Sequence, residues 1–221
     1  MKLLLTSAGI KNASIHHALV ELLGKPIGEC SALAITTAIY ALPNGPLLAW
    51  RFISGQEPQC PMCELGWKSL GVLELSALPS LKRELWVPSV QAVDVLLVNG
   101  GDPLFLAYWM KESGLAELLP SLPGVYVGLS AGSMVMAPHI GEFFVEWQPP
   151  TGGDKTLGVV DFAIFPHLDH PELPYNTMAN AEKWAAGMGV PAYAIDDETA
   201  IKVVDGGVEV VSEGHWRQFA G

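Results

Sequence analysis

Val125-Tyr-Val-Gly-Leu-Ser130-Ala-Gly-Ser-Met-Val-Met-Ala137 begins and ends apolar, with Gly128-x-Ser130-x-Gly132 in the middle. The first run, Val125–Leu129, has the make-up of a strand buried on both faces of a parallel sheet. Ser133–Ala137, ahead of Pro138, suffices for a helical turn or two. Strand, sharp turn and helix form the setting in which Gly-x-Ser-x-Gly lifts a serine hydroxyl above the sheet. The glycines allow backbone to approach backbone, and the helix start turns free amides toward any oxyanion formed there. A glycine-rich turn with an incidental serine is the competing reading.

Outward from this point, apolar runs alternate with amphipathic stretches. Strands are expected at Lys2–Thr6, Leu33–Ala38, Gly71–Leu75, Val93–Val98, Phe162–Phe165 and Ala192–Ile195. Helices are expected at Ala13–Leu23, Leu47–Ile53, Cys63–Leu70, Phe105–Leu119 and Thr177–Gly187. Ile201–Val204 and Val208–Val211 flank Asp205-Gly206-Gly207 and form a hairpin. The pattern predicts an α/β fold with a doubly wound, mostly parallel sheet. Helices flank both faces, and a C-terminal antiparallel hairpin finishes it. Residues 1–221 read as a single domain, with Gln148–Asp154 as its clearest loop.

The 221 residues carry 12 Lys and Arg against 23 Asp and Glu, a formal charge of −11. So few scattered cations make no stripe for a phosphate backbone, and anionic membrane surfaces are disfavoured as well. No apolar run approaches the ~18 residues of a membrane span. The opening Met-Lys-Leu-Leu-Leu reads as a core strand rather than a leader. Three cysteines point to a reducing, cytoplasmic setting. Cys60-Pro-Met-Cys63 has no second cysteine pair and reads as two reduced thiols in a loop.

A serine nucleophile needs a base. His167 follows the strand Phe162–Phe165, at a strand end where chemistry collects in such sheets, and His170 competes three residues on. His16 and His17 fall within a helix, and His139 follows Ser130 too closely. His167-x-Asp169-His170 has the look of a metal site, but Glu172 and Glu182 are the only ligands the following helix adds, so no metal is expected. The acid orienting the imidazole is expected among Asp196, Asp197 and Glu198 at the end of Ala192–Ile195, with Glu146 as an outsider. Asn99-Gly100-Gly101-Asp102-Pro103 lacks the lysine of a phosphate loop and is better used to present a second oxyanion amide.

Taken in order, Val98-Asn-Gly-Gly-Asp102, Gly128-Leu-Ser-Ala-Gly132, Phe165-Pro-His167 and Ile195-Asp-Asp-Glu-Thr-Ala200 resemble the peptidase E (aspartyl dipeptidase) family. The resemblance implies a class I glutamine amidotransferase-like fold with serine in place of cysteine at the elbow. It makes Ser130 the nucleophile, His167 the base and Asp197 the acid, with Gly101 and Ala131 supplying the oxyanion amides. It further implies a serine hydrolase of small peptides or amides that needs no metal or organic cofactor. Neither nucleic acid nor membrane is a partner, and a homodimer is left open. Two departures stand out. Asn99 and Asp102 replace residues that are often glycine and asparagine in the family. Tyr175–Trp184 also lacks the arginine by which aspartate-specific members hold the substrate carboxylate. The substrate-binding residues are therefore unassigned, and selectivity for N-terminal aspartate is expected to be weak or absent.

Overall fold

The computed structural model describes residues 1–221. Ten strands occur along the chain: β1 (Lys2–Thr6), β2 (Ser31–Ile35), β3 (Ser69–Val72), β4 (Val95–Val98), β5 (Val125–Leu129), β6 (Ala163–Phe165), β7 (Ala192–Ile195), β8 (Thr199–Val204), β9 (Gly207–Ser212) and β10 (Trp216–Phe219). The α-helices are α1 (Ala13–Leu23), α2 (Gly45–Ile53), α3 (Arg83–Ala92), α4 (Pro103–Glu112), α5 (Leu115–Leu118), α6 (Ala131–Met134) and α7 (Met178–Ala186). Seven strands form a large sheet in the order β3-β2-β4-β5-β1-β8-β9. Its members from β3 to β1 run parallel, and the β8–β9 hairpin adds on antiparallel.

Alternation along these strands fills two cores. Leu3, Leu5, Leu96, Val98 and Tyr126 face one side, where α3 brings Trp86 and Val90 and α4 brings Leu106 and Met110. Leu4, Leu97, Val125, Val127 and Leu129 face the other side, against Ile15, Leu19 and Leu22 of α1 and Phe52 of α2. With both faces covered, the central strands can be apolar throughout, as at Val125–Leu129.

The expected mostly parallel sheet with its C-terminal antiparallel hairpin is present, but β6 and β7 lie outside it. These form a separate three-stranded sheet, in the order β10-β7-β6. The reason lies at β1: its free edge is taken by β8, so the later parallel strands pair with each other instead. Phe162, Ile164, Tyr193 and Ile195 pack toward the large sheet, and Ala163, Phe165, Ala192 and Ala194 face α7.

Smaller corrections have local causes. Cys63–Leu70 is not a helix: Gly66 turns at φ 85°, and the backbone then joins β2 as β3. The strand expected at Leu33–Ala38 ends at Ile35, followed by a 3-10 turn over Thr37–Ala41. The helix expected over Phe105–Leu119 is broken by Ser113-Gly114, with Gly114 at φ 77°. No helix is long and apolar enough to cross a membrane.

Candidate active site

Because β5 and β1 run parallel, in register from Lys2↔Val125 to Thr6↔Leu129, their carboxyl ends lie side by side. The chain leaves β5 through Ser130 at φ 49°, ψ −110°, a strained conformation for a residue with a Cβ. Such a position costs roughly 1–3 kcal/mol and persists only where the surroundings over-determine it. Here the Ser130 N–H donates to Thr6 O (3.0 Å), and the Ser133 hydroxyl donates to the same oxygen (2.7 Å). The Thr6 hydroxyl donates to Gly128 O (2.7 Å), and the Tyr126 hydroxyl donates to Gly132 O (2.6 Å). A Cβ on Gly128 would stand 2.4 Å from Gly132 O, and one on Gly132 only 2.3 Å from Val98 O. The turn is therefore closed to any larger residue at either glycine. The Ser130 hydroxyl makes no hydrogen bond within the chain.

His167 and Asp197 arrive from the second sheet. Parallel pairing of β6 and β7 delivers the segments after Phe165 and Ile195 next to each other. Nδ1 of His167 lies 2.7 Å from Oδ1 of Asp197, while Nε2 is left without a partner. The backbone at His167 is also left-handed, with φ 56°. It is pinned because the Leu168 N–H donates to Ile195 O (3.0 Å) and Asn176 Nδ2 donates to Pro166 O (3.0 Å). Burial pulls the Asp197 carboxyl upward, but the hydrogen bond and charge of His167, the Ser7 hydroxyl and the His170 charge together hold it below the ordinary 3.8.

The other acids expected there turn elsewhere. Asp196 accepts from the Thr199 hydroxyl (2.6 Å) and the His215 N–H (2.7 Å). Glu198 accepts from Asn12 Nδ2 (3.0 Å). Glu146 lines the same cavity as Ser130 but does not bond to His167. His170 stands 3.6 Å from the second oxygen of Asp197, beyond hydrogen-bond reach. His139 pairs with Asp154 (3.2 Å) in a neighbouring groove. His16 and His17 are exposed on α1.

Ser7, just beyond β1, was not among the expected residues. It is fully buried, its hydroxyl donates to Asp197 Oδ1 (2.9 Å), and it accepts from the His167 N–H (2.8 Å). A serine at the carboxyl end of the first strand was the available signal, since that end lies beside the end of β5.

Ser130, His167 and Gly101 open onto one cavity of about 540 Å³. Gly101 adopts φ 133°, and a Cβ there would fall 2.4 Å from the Ala38 backbone, so only glycine fits. Its N–H has no partner in the chain. Ala131 is the first residue of α6 and so has no earlier carbonyl of its own helix to bond. The cavity lining includes Asp102 and Glu146 but neither Lys nor Arg. Lys202 is held by Glu21 and Glu209, and Arg217 by Glu182. Lys183 belongs to the neighbouring groove.

Two solved structures share this fold. One is a protein assigned as a peptidase E from Listeria monocytogenes EGD-e, with a TM-score of 0.65 and 18% identity over 96% of this chain and 98% of that one. The other is a peptidase from an acI-B1 Actinobacterium, with a TM-score of 0.63 and 20% identity over 99% of this chain and 93% of that one. An uncharacterised peptidase of Pasteurella multocida (strain Pm70) is 30% identical over 119 residues. That match takes in 50% of this chain and 56% of the relative, little more than half its length. The family model for peptidase family S51 matches residues 63–211, well over half the chain and inclusive of Ser130, His167 and Asp197. The chain thus belongs to peptidase family S51, the peptidase E family that its motifs resemble.

Proposed function

We propose that the chain is a serine peptidase of small peptides, working through Ser130, His167 and Asp197. The observation that carries this reading is the convergence, on one cavity, of a free hydroxyl at a strained turn and an imidazole whose far nitrogen is held by a carboxylate. His167 Nε2 takes the Ser130 proton as the oxygen attacks the scissile carbonyl. The N–H groups of Gly101 and Ala131 receive the negative charge that develops on the carbonyl oxygen. The imidazolium, oriented and stabilised by Asp197, then passes its proton to the leaving amine. Water repeats the sequence on the acyl-enzyme, which regenerates Ser130.

A substrate carboxylate buried without a cation costs several kcal/mol. With Asp102 and Glu146 in the cavity and no Lys or Arg, preference for Asp-x dipeptides is weak or absent. A kcat/KM ratio for Asp-Leu over Ala-Leu above roughly 10², about 2.7 kcal/mol, refutes this.

The test of the mechanism is a dipeptide-library screen combined with fluorophosphonate labelling. Ser130→Ala is expected to lose both labelling and turnover, and His167→Ala to lose most of each. The double variant should be little worse than either single one, because such residues act as a unit. Normal hydrolysis by Ser130→Ala, or an inactive His170→Ala beside a normal His167→Ala, overturns the assignment.

A further inference from the structure

The cavity onto which Ser130 opens is bordered on one side by the strap Gly141–Gln148, which contributes Phe143, Phe144 and Glu146 to the lining. Both ends of the strap are tied down. The Gly141 N–H donates to Asp154 (2.9 Å), and the Trp147 N–H donates to Asp102 (2.9 Å). Phe144 packs edge-on against Phe165 and Trp184, and Trp147 packs against Phe105 and Tyr108. Glu146 stands between these two aromatic anchors and is exposed. Its carboxylate makes neither a hydrogen bond nor an ion pair within the chain. The other carboxylate of the cavity is committed to the fold. Asp102 is 3% exposed, and its two oxygens accept from the N–H groups of Leu104, Phe105 and Trp147. Since no Lys or Arg lines the cavity, Glu146 is the one carboxylate there free to meet a ligand, on a backbone held in place.

We propose that Glu146 is a specificity-determining residue, whose carboxylate receives a primary ammonium group of the substrate while Ser130 attacks the adjoining carbonyl. Two parts of a small peptide carry that group: the free N-terminus and the end of a lysine-like side chain. The chemistry at Glu146 is the same for both, N–H donors of a cation meeting an ionised carboxylate. Phe143 and Leu173 border the same cavity, so a bound substrate displaces water from around the pair and strengthens it. A methyl in place of the ammonium leaves Glu146 covered without a partner, and a carboxylate there sets two anions together. Sites that hydrogen-bond a substrate group discriminate against analogues lacking it.

This inference rests on the proposal that Ser130 is the nucleophile, and the experiment separates the two. kcat and KM are measured for Ala-Leu against 2-methylpropanoyl-Leu, in which a methyl stands where Ala-Leu carries its ammonium, and for Lys-Leu against Met-Leu. The first pair reports on the N-terminus and the second on the side chain. The expected result is a preference for the ammonium of about tenfold or more in kcat/KM in one of the two pairs, carried mainly by KM. Glu146→Gln keeps the shape and removes the charge, and it should cut that preference by about fivefold or more. Glu146→Asp should retain part of it. Because each reading is a ratio between two substrates of one variant, a general loss of folded enzyme cancels. No preference for the ammonium in either pair, or a preference that Glu146→Gln leaves unchanged, overturns the role of Glu146 while the nucleophile assignment stands. If Ser130 resists fluorophosphonate and no dipeptide is cleaved, both proposals fall together.

Discussion

Replacing Ser7 by alanine tests whether the base and acid are held in place from the large sheet. The Ser7 hydroxyl is fully buried, accepts from the His167 N–H at 2.8 Å, donates to Asp197 at 2.9 Å and lies 3.4 Å from His167 Nδ1. Its removal strands the His167 N–H, at about 1–3 kcal/mol, and withdraws a donor from an ionised carboxylate, at about 1.5–3 kcal/mol. The two losses share one site and do not add fully, so about 2–4 kcal/mol of destabilisation is expected. In a chain of this size that corresponds to about 2–4 °C in Tm per kcal/mol. Ser7 does not line the cavity onto which Ser130 opens, so KM should change little, whereas kcat should fall about 10- to 100-fold as His167 loses its anchor. Urea unfolding and initial rates on a good dipeptide measure both effects, and Ser7→Cys, nearly the same shape with a weaker donor, should fall between. Ser7→Ala within about 0.5 kcal/mol of the parent, with kcat within about twofold, refutes the reasoning.

Gly101→Ala should fold poorly or lose nearly all activity, since the added methyl meets the Ala38 backbone; near-normal expression and turnover would contradict the close approach. Asp197→Asn should lower the rate by orders of magnitude through loss of imidazole orientation. It also bears on acid stability. The Asp197 carboxyl is held below 3.8 when folded, so its contribution is complete above the unfolded value and disappears as pH falls through the lower folded one. The variant should be less stable at neutral pH with a flatter acid limb in urea titrations, and parallel limbs would exclude the linkage. Burial pushes the Cys60 and Cys63 thiols up to about 11 and about 12, with the nearby charge of Asp197 adding to the first and that of Glu64 to the second. At pH 8 alkylation by iodoacetamide should thus be slow in the native protein and fast in urea, and rapid stoichiometric labelling without urea would refute it.

What could be read from the sequence was local. The apolar run Val125–Leu129, the glycines around Ser130 and the Asp205-Gly206-Gly207 turn each declare their geometry within a few residues. The helix over Arg83–Ala92 was missed because it carries Pro88 and exposes Leu85. The split into two sheets was missed for another reason: which strand takes the free edge of β1 is decided between distant segments, and β8 lies nearly two hundred residues from β1. At the site, Asp196, Asp197 and Glu198 lie in the turn between β7 and β8, where each carboxylate meets a different partner and Asp197 alone bonds to His167. Ser7 escaped because its importance lies entirely in what the fold brings against it.

The division of labour between the sheets has a thermal consequence. Ser130 rides on the large sheet, whereas His167 and Asp197 ride on the three-stranded one, and Ser7 is the side chain from the large sheet bonded to both of the latter. Cooperative units within a fold open at different free energies, and a short sheet under a single nine-residue helix is the weaker unit here. Warming should therefore tilt the base away from the nucleophile while the large sheet is still intact. Activity would fade reversibly some degrees below the main unfolding transition. Throughout that interval the His167–Asp197 pair would persist as a unit, out of reach of the hydroxyl it serves.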